Sequence, residues 1–246
     1  MERIKSHGNN YRIYQRLLDI LFPRHCAVCD EIVSEAETGI CTDCSHKILY
    51  IQDPCCMKCG RQLKTQEKEY CTECDRRTHY FIQGTALFDY GSMADSIFRF
   101  KYAGRAEYAD FYGKKLYEKK GPWLSMLAAD ALIPVPAHSS RKRERGYNQA
   151  ELIANVLSEY TGIAVNTSLI KRCEKTIPMK NLSSAERQNN LKKAFKICQN
   201  DVKLNTIVII DDIYTTGSTI DTLARLMQSE GIQNIYFMTL TIGRGI

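Results

Sequence analysis

Apolar residues along the chain fall into short runs with two distinct periods. Thr206-Ile-Val-Ile-Ile-Asp-Asp opens with a continuous Ile/Val run and ends in two acids, the pattern of a strand buried on both faces. The stretch that follows places Ile220, Leu223, Leu226 and Met227 at helical spacing and stops before Gly231, a suitable C-terminal cap. Ile235 to Thr241 predicts another strand, and Ala131 to Pro136 a short one that its prolines terminate. Ala150, Ile153, Ala154 and Leu157 share one face of a helix that closes at Gly162. Upstream, Gly84 to Tyr90 reads as a strand, and Ser92 with Asp95 as the cap of a helix carrying Ile97, Phe98 and Tyr102. A second helix is expected over 107–119 and a further strand over Ile163 to Leu169. Arg172 to Asn190 is polar, has no clear period, and reads as a loop flowing into a helix. Strands alternating with helices predict an α/β fold, a mainly parallel sheet flanked by helices with right-handed crossovers.

The strand, loop and helix over 206–229 also carry chemistry. This order directs the loop's backbone N–H groups and the helix N-terminus at one spot beyond the strand's carboxyl end, where a phosphate belongs. Gly217 permits close backbone approach, and Thr215, Thr216, Ser218 and Thr219 offer hydroxyl donors. Asp211 and Asp212 can accept hydrogen bonds from vicinal ribose hydroxyls. A hydrophobic strand, two acids, two variable residues and Thr-Thr-Gly-Ser-Thr resemble the phosphoribosyltransferase signature. The resemblance implies a type I phosphoribosyltransferase-like domain in which Asp211 and Asp212 hold the ribose of phosphoribosyl pyrophosphate (PRPP). Thr215 through Thr219 hold its 5′-phosphate, and Mg²⁺ accompanies the ligand.

A chain of 246 residues accommodates one such domain plus a small module. It has no apolar run long enough to span a membrane, and its polar start, Met1 to Tyr14, lacks a signal-peptide core. A cytoplasmic protein is expected. The 11 cysteines are not arranged as a secreted disulfide scaffold. Cys26-x2-Cys29-x11-Cys41-x2-Cys44 recurs, shifted by 30 residues, as Cys56-x2-Cys59-x11-Cys71-x2-Cys74. Each Cys-x2-Cys turn presents two thiolates to one corner of a tetrahedral metal site, so the repeat predicts two zinc knuckle pairs, each closing a structural four-cysteine zinc site. Cys55 breaks the register and is a spectator; Cys173 and Cys198 are isolated structural thiols. His25, His46 and His79 are expected at the surface or behind the ligands. The zinc segment, 1–82, has too little apolar surface to fold without metal, and 83–246 forms the α/β domain.

Charge is uneven. Residues 1–82 carry equal numbers of basic and acidic side chains, so the formal charge of +6 arises within 83–246. It concentrates at Arg141-Lys142-Arg143-Glu144-Arg145 and over Lys171 to Lys193. Both clusters follow core strands and are expected to flank one pocket mouth, forming a positive groove for anions. Tyr147 is a candidate stacking surface for single-stranded DNA beside them.

Pro134-Val135-Pro136, Arg141, Arg143, Arg145-Gly146-Tyr147-Asn148-Gln149-Ala150-Glu151, Arg187, Asn190 and Ala194-Phe195, taken with both halves of the chain, resemble the ComF competence family. That family joins a double zinc ribbon to a phosphoribosyltransferase-like domain and is associated with DNA uptake in natural transformation. The resemblance implies PRPP binding, handling of incoming single-stranded DNA, a competence helicase as neighbour, and pyrophosphate contacts around Val135 to Ser139. Two other readings stay open, a phosphoribosyltransferase acting on an unidentified acceptor and a PRPP-responsive regulator. Glutamine-dependent amination is disfavoured, because the chain opens Met1-Glu2 and runs into a zinc module rather than a glutaminase. Purine salvage is disfavoured because Thr215 stands where the salvage enzymes carry an Asp base.

Overall fold

The computed structural model describes residues 23–33, 39–173, 194–198 and 203–243. Four parallel strands make the central sheet in the order β1-β6-β5-β2, with β1 at Gln83–Asp89, β2 at Ala131–Pro134, β5 at Thr206–Tyr214 and β6 at Asn234–Ile242. A short antiparallel pair, β3 (Ile170–Arg172) with β4 (Phe195–Ile197), stands apart from it. Among the described residues no helix is long and apolar enough to cross a membrane.

The alternation of β5 explains how the sheet is covered. Val208 and Ile210 join one apolar cluster and Ile207 and Ile209 the other, because successive side chains of a strand point to opposite faces. The first face is covered by three helices: α3 (Tyr90–Tyr102), α4 (Tyr108–Met126) and α6 (Gln149–Thr161). Phe100, Tyr112, Leu116, Ile153 and Leu157 are fully buried there, and each such side chain contributes on the order of 1.5–3 kcal/mol. Gly113 lets α4 and α6 approach closely, since a Cβ there would lie 2.4 Å from Val156.

The opposite face has α7 (Ser218–Ser229), which buries Ile220, Leu223, Ala224 and Met227. Beside it lies the second cysteine repeat. Cys56, Cys59, Cys71 and Cys74 share an apolar cluster with Phe81, Ala86, Tyr214 and Phe237, so this repeat does the covering that a helix does elsewhere. The backbones meet directly: Gly84 N–H donates to the Lys58 carbonyl at 2.8 Å, and a Cβ on Gly60 would fall 2.7 Å from the Gly84 oxygen. The first repeat packs on the helical face through Ala27, and the chain just after it through Ile48. There Ser96 Oγ donates to the Ala27 carbonyl and Arg99 to the Val28 carbonyl. The connector between the repeats runs along β1, with Ile51 N–H donating to Leu87 O and Asp89 N–H to Leu49 O. It thereby covers an edge that would otherwise present unpaired backbone. Short helices α1 (Thr42–Ser45) and α2 (Thr72–Asp75) each carry the last cysteine of a repeat's second knuckle.

Two expectations are corrected. The helix after β1 starts at Tyr90 and is capped by Asp89, which accepts from Gly91 N–H, rather than by Ser92 with Asp95. The strand expected over Ile163 to Leu169 reduces to a single parallel bridge of Val165 with Leu132. The Asn166 Oδ1 then accepts from the Ser168 and Leu169 N–H groups and turns the chain away. Arg141 to Arg145 lie within a short helix, α5 (Ser139–Arg145). The stretch 174–193, with Arg187, Asn190 and most of the second basic cluster, lies outside the described residues.

Candidate functional site

The site forms where β5 leaves the sheet. Its last residues continue the strand past the buried Ile run, so Asp211 and Asp212 sit at the carboxyl end of the parallel strands. There the crevice beyond the sheet is open to a ligand. Asp211 Oδ1 accepts from the Asp212 N–H at 2.9 Å, and Asp212 Oδ2 pairs with Lys101 Nζ at 2.6 Å. Burial, then the neighbouring Asp212 carboxylate, push the Asp211 carboxyl up to about 8, against the pull of Lys101. Lys101, in the last turn of α3, is a member of the site that sequence reasoning missed. Nothing local to residue 101 marks it.

The loop Thr215 to Gly217 turns directly into α7. Gly217 takes φ +76 as the N-cap of α7, and a Cβ there would fall 2.4 Å from the Tyr214 hydroxyl. Only glycine satisfies both constraints at once. Thr216 Oγ1 and Ser218 Oγ lie 2.9 Å apart, and the loop encloses a cavity of about 130 Å³ lined by Asp211, Ile213 to Gly217 and Ser218 to Ile220. This is a small polar cradle at a helix N-terminus, with room for a phosphate group. Of the seven residues expected at the site, Asp211 and Thr215 through Thr219 line this cavity, while Asp212 is turned to Lys101.

The basic residues divide. Burial and then Arg141 lower the pKa of the Arg172 guanidinium, and Asp211 opposes them, so Arg172 lies within electrostatic reach of Asp211. Two basic members of α5 are engaged elsewhere. Lys142 pairs with Glu151 at 3.1 Å, while Arg145 donates to Gln149 and lies over the Tyr102 ring. Tyr147 is half-buried with its hydroxyl donating to the Phe100 carbonyl, so it is not the open stacking surface expected from the sequence.

The second cysteine repeat holds the cradle from behind. Arg61 Nη2 donates to the Thr215 carbonyl at 3.3 Å and pairs with Glu73 at 2.8 Å; Arg77 donates to the Thr216 carbonyl at 3.4 Å. His79, expected at the surface or behind the metal ligands, has a side chain only 2% exposed and meets Asp221 of α7 at 2.8 Å. It stacks on Phe81.

The eight repeat cysteines gather as two sets of four, Cys26, Cys29, Cys41 and Cys44, and Cys56, Cys59, Cys71 and Cys74. Within each set every Sγ lies within 4.8 Å of the others. Cys29 and Cys41 are 3.8 Å apart, as are Cys59 and Cys71. Four sulfurs around zinc at about 2.3 Å in a tetrahedron stand at this spacing, so both sets fit a closed structural zinc site. Cys55 instead donates to the Gln52 carbonyl.

Comparison with known proteins agrees with this layout. Residues 17–75 match the double zinc ribbon domain and residues 144–244 the phosphoribosyl transferase domain. The chain is 28% identical to Competence protein F of Haemophilus influenzae, over 87% of this chain and 95% of that protein. It is 26% identical to DNA utilization protein YhgH of Escherichia coli K12, over 85% and 92% of the two chains. Competence protein ComFC of Bacillus subtilis is 26% identical over 84% and 89%. The parallel sheet flanked by helices is accordingly of the type I phosphoribosyltransferase-like α/β class, with an N-terminal double zinc ribbon.

Proposed function

We propose that this chain, a member of the ComF family of double zinc ribbon and phosphoribosyltransferase-like proteins, binds PRPP with Mg²⁺ and acts in DNA uptake by handling single-stranded DNA. The observation that carries the ligand is the acid pair beside the cradle. Asp211 and Asp212 offer carboxylate oxygens at the strand end, and Thr215 through Thr219 close around a phosphate-sized cavity next to them. A phosphorylated sugar with vicinal hydroxyls satisfies both halves together. Mg²⁺ would accompany the ligand and neutralise its pyrophosphate, with Asp211 and Asp212 on the ribose hydroxyls. Arg172, within electrostatic reach of Asp211, would supply positive charge beside the acids.

Support for the DNA role comes from the relatives, whose names record competence and DNA utilization. Two titrations on one preparation test the reading. Equilibrium dialysis with PRPP and Mg²⁺ is expected to give saturable binding, and fluorescence polarisation with a labelled oligonucleotide is expected to give binding that weakens as salt rises. Absence of PRPP binding overturns the ligand assignment, and absence of strand binding overturns the DNA role.

A further inference from the structure

Behind the cradle, on the other side of the α7 N-terminus, lies a larger groove. It holds about 620 Å³ between the end of the second zinc ribbon, Arg76 to Tyr80, and the outer face of α7. Its cationic lining is Arg76, Arg77 and Arg225, and among the described residues none of the three has a carboxylate within salt-bridge distance. The lone acid of the lining, Asp221, is already paired with His79 and accepts from the Tyr80 N–H. The groove is therefore strongly positive.

It also has an aromatic wall. Tyr80 is 39% exposed, and the Arg225 guanidinium lies over its ring at 5.5 Å from the centroid. The Tyr80 main chain is fixed, with its N–H on Asp221 and its carbonyl accepting from Gln228. Thr222 and Ser218 add hydroxyls along the floor. A planar base finds a ring and a guanidinium to stack on, and phosphates find the arginine forks. A simple acidic peptide would satisfy only the second.

We propose that this groove, formed by Arg76, Arg77, Tyr80 and Arg225, is a nucleotide-binding site that engages the phosphate and base of single-stranded nucleic acid. The assignment rests on the DNA-handling part of the proposed function for the source of its ligand and moves that contact away from α5. There Lys142 and Arg145 are already engaged. The groove and the cradle share Ser218, so a strand in the groove would run directly behind bound PRPP.

The test compares wild type with Arg76→Ala/Arg225→Ala, Tyr80→Ala, Tyr80→Phe and the α5 variant Arg141→Ala/Lys142→Ala/Arg143→Ala. Each is titrated against a fluorescent oligothymidylate by polarisation at several salt concentrations, and against thymidine monophosphate by calorimetry. The double arginine variant is expected to bind the strand at least about tenfold more weakly, with a salt slope shallower by roughly 0.7 for each phosphate the arginines neutralise in wild type. Tyr80→Ala is expected to lose roughly tenfold and Tyr80→Phe to restore it, while the α5 variant keeps the affinity. Zinc content and PRPP binding stay at wild-type values in the groove variants and show that they fold.

Wild-type strand affinity in both the double arginine variant and Tyr80→Ala overturns the groove assignment while leaving the DNA role standing. Equal displacement of the strand by polyglutamate in wild type and Tyr80→Ala likewise overturns it, because no base is then being read. If wild type binds no strand, the DNA role fails. Monophosphate binding that disappears in the double variant then upholds the groove as a nucleotide site, and its absence in wild type overturns that as well.

Discussion

Arg61 donates to the carbonyl of Thr215, 154 positions later in the chain, across 3.3 Å. The same guanidinium nitrogen pairs with Glu73 inside the second zinc ribbon. A metal module and the ligand loop are thus joined through one side chain, itself buried at 9% exposure. Arg61→Ala removes a charged hydrogen bond and leaves Glu73 unpaired, a loss of about 1.5–3 kcal/mol. PRPP affinity is expected to fall while both zinc ions remain, and Arg61→Lys is expected to recover little, because the shorter lysine places its ammonium about one bond short of the Nη2 position that meets both partners. Calorimetry together with metal analysis checks this; unchanged PRPP affinity in Arg61→Ala would show that the loop holds itself.

The two ribbons are expected to respond differently to metal loss. All four cysteines of the second set are buried in the cluster that also contains Tyr214 and Phe237, whereas Cys29 of the first set is exposed. Cys41→Ser should lose one equivalent of zinc and keep PRPP binding. Cys59→Ser should lose one equivalent, much of the thermal stability, and PRPP binding with it. Cys55→Ser should keep two equivalents. Metal content and melting temperature measured on the three variants decide the matter, and a Cys55→Ser protein short of zinc would contradict the ligand set.

How far these contacts are legible in sequence depends on their range. The cysteine repeat and the Asp211 to Thr219 loop are readable because their chemistry is set by spacing over a few residues. β5, β6 and α6 are readable because burial imposes a period on contiguous residues. Lys101, Arg61 and His79 join the site from other elements, and no local pattern records that Lys101 meets Asp212 or that His79 meets Asp221. The strand expected over 163–169 fails for a local reason that periodicity ignores. Asn166 offers its side-chain oxygen to two downstream N–H groups and ends the pairing after Val165.

Gly217→Ala tests the cradle's geometry. The substitution places a Cβ at φ +76 and within 2.4 Å of the Tyr214 hydroxyl, so both strain and overlap oppose the native loop. The expected cost is about 1–3 kcal/mol. PRPP affinity is expected to fall in Gly217→Ala and to hold in Gly231→Ala. The second glycine also has positive φ, but an added Cβ there would meet nothing. Equal PRPP affinity in the two variants would mean that the cradle does not require the close turn.

The acid pair predicts a pH dependence. In the folded protein the Asp211 carboxyl is raised to about 8 by burial and by Asp212, whereas in the unfolded chain it titrates near the usual ~4. Between these values the folded state holds a proton that the unfolded state has released. Stability without ligand is therefore expected to fall as pH rises from about 4 through about 8. Asp211→Asn carries no such proton and should show a flatter profile and a higher melting temperature than wild type above neutrality. Parallel melting curves for the two proteins over that range would refute the raised carboxyl.

Whether Asp211 and Asp212 hold the ribose of PRPP beside the Thr215 to Thr219 cradle is decided by one calorimetric comparison, PRPP with Mg²⁺ titrated into wild type and into Asp211→Asn/Asp212→Asn. The double variant leaves the ribose hydroxyls without their carboxylate acceptors and is expected to lose about 2–4 kcal/mol, roughly two orders of magnitude in affinity, with zinc content unchanged. PRPP binding of equal affinity in the two proteins would contradict the assignment.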